Sequence, residues 1–264
     1  MNDWRLLEFQ TCSAFMNMAI DEAILRARIE ERVPNTLRFY GWNPSAVSIG
    51  RFQKVENEVH LENCRKQGVN LVRRISGGGT VYHDAEGEIT YCIVSKTKDL
   101  GTMDVATVYT KVYSGIVEAL RSLGVNADFG GGDARNCPNL TVRGKKISGS
   151  SQANKSGVTL QHGTVLLDVN LEKMFTLLRV PWAKTPAEVV NVARKKITSL
   201  RNELGMTIPI ETVSNALSEG FQKTLETKFC QADMQRFEQE LAEKLCQEKY
   251  SKENWNFNGK TISD

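Results

Sequence analysis

The 264-residue chain is 41% hydrophobic and 25% charged, a globular balance that excludes a disordered or fibrous polymer. Its 34 basic and 31 acidic residues leave a formal charge of +3, so the balance does not call for a nucleic-acid partner. No window approaches 18 uninterrupted apolar residues, and the start Met1-Asn2-Asp3-Trp4-Arg5 lacks the basic-then-apolar pattern of a signal peptide; a cytoplasmic protein with no membrane contact is expected.

The segment Asn17 to Leu25 places Ile20, Ala23 and Ile24 on one helical face and predicts an early amphipathic helix. Leu37 to Trp42 and Ala46 to Gly50 read as two strands joined by the turn residues Asn43-Pro44-Ser45, a hairpin or a loop-joined pair. Three strands follow, Leu71 to Arg74, Thr80 to His83 and Ile89 to Val94. A helix is predicted from Val105 to Leu123, closing on Gly124. Leu140 to Val142, Lys146 to Ser148 and Val158 to Asp168 read as further strands, and Asn170 can cap a helix from Leu171 to Leu178. Helical periodicity dominates Ile210 to Leu225 and Asp233 to Lys249. Strands in the first two thirds and helices at the end predict a mixed α+β chain, taken as one domain over residues 1–264.

Six cysteines (Cys12, Cys64, Cys92, Cys137, Cys230 and Cys246) form no C-x-x-C pair and are expected to be reduced thiols. His60, His83 and His162 show no ligand-like spacing, so no structural zinc is expected. The segment from Arg73 to Asp84 carries the strongest chemical signal. Gly77-Gly78-Gly79 let backbone approach a ligand and leave amide donors unobstructed, while Arg73 and Arg74 offer fork-shaped positive charge suited to carboxylates and phosphates. The spacing fits neither a P-loop nor a dinucleotide fingerprint. In the segment from Gly144 to Gln152, strand alternation sends Lys145 and Lys146 to opposite sides, so that one ammonium can face a site. His83 and His162 are open to structural or catalytic roles, and Cys137 to a nucleophilic one.

Taken in order, Asn17 to Leu25, the block Arg-Arg-Ile-Ser-Gly-Gly-Gly-Thr-Val-Tyr-His-Asp ending at Asp84, Gly144 to Ser151, Leu160 to Leu167 and Tyr250 to Asn256 resemble the lipoate-protein ligase family over nearly the whole chain. The resemblance implies a mixed sheet flanked by helices, of the kind shared with biotin-protein ligases and class II aminoacyl-tRNA synthetases. It also implies activation of lipoate by ATP and Mg2+ to lipoyl-AMP, followed by transfer to a lysine of a lipoyl carrier domain. That carrier would be a 2-oxoacid dehydrogenase acyltransferase subunit or a glycine-cleavage carrier protein. The acceptor lysine is neutral in roughly one molecule in a thousand at pH 7, so its proton must be removed.

By the same resemblance Arg74, Ser76, Gly77, Gly78, Gly79, Thr80, Val81, Tyr82, His83 and Asp84 hold lipoate and the adenylate, with Asn136, Ser148, Gly149 and His162 beside them, and Lys146 is the catalytic lysine stabilising negative charge on the reacting oxygens. The sequence departs from the ligase pattern at Arg135-Asn136-Cys137, where many ligases carry Arg-Asn-Asp. Cysteine here is similar to the octanoyltransferases, which use a thioester on such a sulfur and no ATP. A non-catalytic lipoyl-carrier-binding protein is a further alternative. Octanoyltransferases usually read Gly-Gly-Arg in the glycine block, so Gly79 favours the ligase. The chain stops too soon for the small C-terminal accessory domain common in ligases, and the helical stripe of Phe237, Leu241 and Leu245 with Met234 raises a separately encoded accessory subunit as a possible partner.

Overall fold

Ser13 opens the first helix, α1 (Ala14–Ile29), its hydroxyl accepting the Met16 amide as an N-cap. The computed structural model describes residues 4–130, 139–183 and 185–260. The sequence suggests an amphipathic α1, but the structure encloses it: Ala19, Ala23 and Ile24 are buried, and so are Asn17, Asp21, Glu22 and Arg28. One side meets a sheet and another meets α9 (Arg236–Leu245), so the polar residues must find partners inside the protein.

The larger sheet is built from β1 (Trp4–Cys12), β2 (Thr36–Trp42), β6 (Glu88–Lys96), β7 (Asp128–Phe129), β8 (Asn139–Val142), β9 (Lys145–Lys155), β10 (Val158–Leu166) and β11 (Phe229–Gln231), in the order β11-β1-β2-β6-β10-β9-β8-β7. Its β11-β1-β2 edge is parallel and the remainder antiparallel. A smaller sheet has the order β4-β3-β5, from β3 (Ala46–Ile49), β4 (Asn70–Arg73) and β5 (Val81–His83). The sequence reads β2 and β3 as a pair; the structure places them in different sheets. Asn43 to Ser45 therefore turns a corner between sheets, and β3 pairs in parallel with β4, a partner more than twenty residues away.

Period-two alternation in β2 and β6 divides the core. Leu37, Phe39, Ile89, Tyr91 and Ile93 face α4 (Val105–Ser122) and α8 (Ile210–Leu225), whereas Tyr40, Trp42, Cys92 and Val94 face the α1 side. Short helices α2 (Val55–Glu58) and α3 (Leu61–Lys66) cover the small sheet, and α5 (Leu171–Leu177), α6 (Pro186–Ala193) and α7 (Leu200–Leu204) follow β10. The architecture is an α+β mixed sheet flanked by helices. No helix among the described residues is long and apolar enough to cross a membrane.

The α9 stripe is satisfied within the chain. Leu245 and Ala242 are buried against α1, Leu241 and Met234 lie at the margin, and the Arg32 guanidinium sits 3.5 Å over the Phe237 ring. Arg73, offered by the sequence as an anion contact, is instead a buried tie. Its guanidinium donates to the carbonyls of Gly50, Arg51, Gln53, Asn256 and Phe257 at 2.7–3.1 Å.

Candidate active site

Between the two sheets lies a cavity of about 330 Å³. Its walls gather Arg74, Gly78, Gly79, Thr80, Val81, Tyr82, His83, Lys146, Ser148, Gly149 and His162 from three separate segments of the chain. Ser76 and Gly77 stand behind this wall. Asp84 adjoins it at a turn, accepting the Tyr82 hydroxyl at 2.8 Å and the Glu86 amide. Asn136 and Cys137 lie outside the described residues.

The glycine block takes its shape from Arg74. One guanidinium nitrogen donates to the carbonyls of Gly77 and Gly79, both at 2.7 Å, and the other donates to Ser48. With the carbonyls turned inward, the amides of Gly77, Gly78 and Gly79 donate to no acceptor among the described residues, a set of donors suited to a carbonyl or an oxyanion. The packing below requires glycine, since a Cβ on Gly50 would come within 2.2 Å of the Gly78 carbonyl.

Lys146 is held by its backbone: its amide donates to the Lys196 carbonyl and its carbonyl accepts from Thr198. A bulge at Ile147 interrupts the β8–β9 pairing. Lys146 and Ser148 line the cavity while Ile147 enters the core cluster. Gly149 leaves room for the ammonium, because a Cβ there would lie 2.7 Å from Nζ. The Ser148 hydroxyl is buried with no hydrogen-bond partner among the described residues, a polar atom available to a bound ligand.

Two buried relays support the walls. In the first, Ser76 Oγ lies 2.7 Å from His162 Nε2, and His162 Nδ1 lies 3.0 Å from Asp21, which also holds Arg38 and the Tyr40 hydroxyl. Burial opposes ionisation of Asp21, but the His162 hydrogen bond and the Arg38 charge outweigh it and keep the carboxyl below its usual range. Burial pushes His162 below the usual histidine value, so the ring is neutral at pH 7. Asp21 therefore receives the Nδ1 proton, and Nε2 accepts from Ser76, whose oxygen accepts from Ser151 at 2.8 Å. The constellation has the composition of a hydrolytic triad, yet Ser76 is only 1% exposed and does not face the cavity; it positions the loop. In the second relay Glu88 meets His83 Nδ1 at 2.7 Å, and His83 Nε2 meets Ser48 Oγ at 2.8 Å. The Trp42 ring stacks on His83 at 3.9 Å.

The rest of the wall is apolar: Met18, Tyr40, Trp42, Leu166, Met174, Phe175, Leu178 and Ile197. An apolar lining that also carries glycine amides, a lysine and a serine suits an acyl group with a reactive carbonyl. Sequence reasoning missed Asp21, Arg38, Ser48, Glu88, Asn139 and Ser151. Asp21 had a readable signal, a carboxylate between the apolar Ile20 and Ala23 in a helix. The others sit in strands where nothing distinguishes them from solvated polar residues.

The family description of the lipoyl protein ligase A/B catalytic domain matches residues 13–222. The chain belongs to that family. Within the lipoyl ligase A/B family it is 36% identical to octanoyltransferase LipM of Geobacillus kaustophilus, over 96% of this chain and 98% of that protein. It is 30% identical to octanoyltransferase LipM of Bacillus subtilis over the same shares. A solved structure of the bi-partite lipoate protein ligase of Thermoplasma acidophilum matches with a TM-score of 0.85 at 32% identity, covering 97% of both chains. Lipoate-protein ligase A bound with ATP matches with a TM-score of 0.83 at 30% identity, covering 97% of this chain and 99% of that one.

These relatives correct the activity expected from sequence. The ATP-dependent ligase, with lipoyl-AMP as intermediate and ATP and Mg2+ as cofactors, is overturned by octanoyltransferase relatives that align end to end. Packing does not require glycine at position 79, since a Cβ there would meet nothing within 4 Å, and the expectation drawn from Gly79 gives way to the relatives. Among the described residues, the one cluster of three metal-type ligand atoms is Asp21, Cys92 and His162. It is sealed, with Asp21 and His162 already engaged with Arg38, Tyr40 and Ser76, and does not suit a magnesium ion.

Proposed function

We propose that the chain is an octanoyltransferase that moves an octanoyl group from a thioester on acyl carrier protein to the ε-amine of a lysine on a lipoyl domain, through a thioester on Cys137. The observation that carries this reading is the similarity, over nearly the whole of both chains, to proteins named octanoyltransferase LipM. No described cysteine lines the cavity, and burial raises the thiols of Cys64 (to about 11), Cys92 and Cys246, which makes them poor nucleophiles. Cys137 stands two residues before Asn139, a cavity residue.

In the first half-reaction the Cys137 thiolate attacks the octanoyl carbonyl, the carbon–sulfur bond to the carrier breaks, and the carrier leaves as a thiolate. In the second, the neutral acceptor amine attacks the Cys137 thioester, the amide forms, and the amine proton goes to the departing sulfur. Both steps place negative charge on the same carbonyl oxygen. Lys146, the Ser148 hydroxyl and the amides of Gly78 and Gly79 are the donors around the cavity that can receive it. The apolar wall takes the eight-carbon chain.

The test is transfer from octanoyl acyl carrier protein to a lipoyl domain without ATP, together with intact mass after a donor-only incubation. An increment of one octanoyl group that disappears in Cys137→Ala, with loss of transfer, is the expected result. Transfer that requires free acid and ATP, or that survives in Cys137→Ala, overturns the reading.

A further inference from the structure

The turn between β8 and β9 and the segment after α6 run side by side, tied by the backbone bonds of Lys146 to Lys196 and Thr198. The two stretches carry Arg143, Lys145 and Lys146 on one side and Arg194, Lys195 and Lys196 on the other. Arg143 pairs with Glu203 and Arg194 with Glu172. Lys145, Lys195 and Lys196 form no ion pair with the described residues, and Lys195 and Lys196 are exposed. The whole chain has a formal charge of only +3, so three lysines without an ion pair among the described residues, on adjoining segments, are a concentration rather than a sample of the surface. Lys146 and Ile197 both line the cavity, which sets this basic rim at its edge.

We infer that this rim is the docking surface for the acyl donor, an acidic carrier protein that presents its acyl group on a phosphate-linked arm. The inference rests on the octanoyltransferase reading for the identity of the donor. Electrostatics selects the donor over the acceptor: the acceptor must bring a lysine, cationic in solution, to a cavity edge already rich in cations, whereas an acidic carrier and its phosphodiester are attracted to it. Rim charges act mainly on association, and their effect fades as salt screens them within about 10 Å at 0.1 M.

The test uses the double variant Lys195→Glu/Lys196→Glu, two exposed side chains, with folding checked by circular dichroism. Binding of octanoyl acyl carrier protein, read by fluorescence anisotropy, weakens at least tenfold in the variant, and the salt dependence seen in wild type flattens. In turnover, KM for the carrier-borne donor rises by a similar factor with kcat within twofold. Rates with octanoyl-N-acetylcysteamine, a thioester without carrier or phosphate, and affinity for the lipoyl domain both stay at wild-type values. The proposal is overturned if wild type binds no carrier, if the variant binds it equally well, or if the loss falls on the lipoyl domain instead. Wild type that binds the carrier yet transfers octanoyl from neither donor would defeat the functional reading and leave the docking surface standing.

Discussion

Asp21, Arg38, Tyr40 and His162 form one buried group in which every partner depends on the next. His162 gives it a pH signature. The folded ring has its proton affinity lowered by burial, so as pH falls below about 6.5 the unfolded chain binds a proton that the folded chain refuses. Stability is therefore present above that pH and is lost as pH drops through the window toward the folded value. Asp21 is depressed as well and loses its contribution only at lower pH, below the ordinary carboxylate range. His162→Gln removes the proton difference, so the Tm gap between wild type and variant narrows from pH 7 to pH 5; a gap that widens over that interval would show that the ring is charged in the fold. This group also marks how far the site was legible. The glycine block, Lys146 and the histidines could be named because glycine runs and lysines beside small residues are uncommon in strands. Asp21, Glu88 and Ser48 could not, since their role arises only when β3, β6 and α1 are brought together.

Helices α4 and α8 cross where Gly115 and Gly220 meet. A Cβ on Gly220 would lie 2.2 Å from the Gly115 carbonyl, and one on Gly115 would lie 2.4 Å from the Phe221 ring. Backbone cannot yield as a flexible side chain does, so Gly220→Ala is expected to cost about 2–3 kcal/mol despite alanine's better helix propensity. Chemical denaturation measures it, and a stabilised variant would mean that the crossing is looser than the geometry states. The α8 boundaries, Ile210–Leu225, were readable because a long amphipathic period is a strong signal. The strand β1 was not singled out, because its alternation breaks where its register with β2 shifts between Leu7 and Gln10. Sheet membership of β2 and β3 was equally hidden, since pairing between distant segments leaves no local pattern.

Across the whole molecule, distant parts of the chain are tied together by buried charge. Arg5 makes a two-pronged bond with Glu238 at 2.6 and 2.8 Å, and Lys249 and Tyr250 both reach Glu22. Arg73 joins the loop after β3 to residues 255–257 through its forked donors, with the Trp255 indole returning a bond to its carbonyl at 2.8 Å. Arg73→Lys keeps the charge but cannot serve so many carbonyls at once, leaving buried acceptors at about 1–3 kcal/mol each. Thermal melting should show Tm lower by roughly 5–10 °C. An unchanged Tm would mean that water replaces the lost donors.

The order in which a ribosome delivers these pieces gives the Arg73 tie another meaning. The loop beneath the glycine block is made early, yet the carbonyls of Asn256 and Phe257 that complete the cage around Arg73 emerge more than 180 residues later. β1 likewise waits for Phe229 to Gln231 before its outer edge is paired. Until those residues are made, the nascent chain holds an unfinished site with an uncapped sheet edge, so the site's completion follows translation of residues 229–231 and 256–257 rather than local folding of the segments that line it.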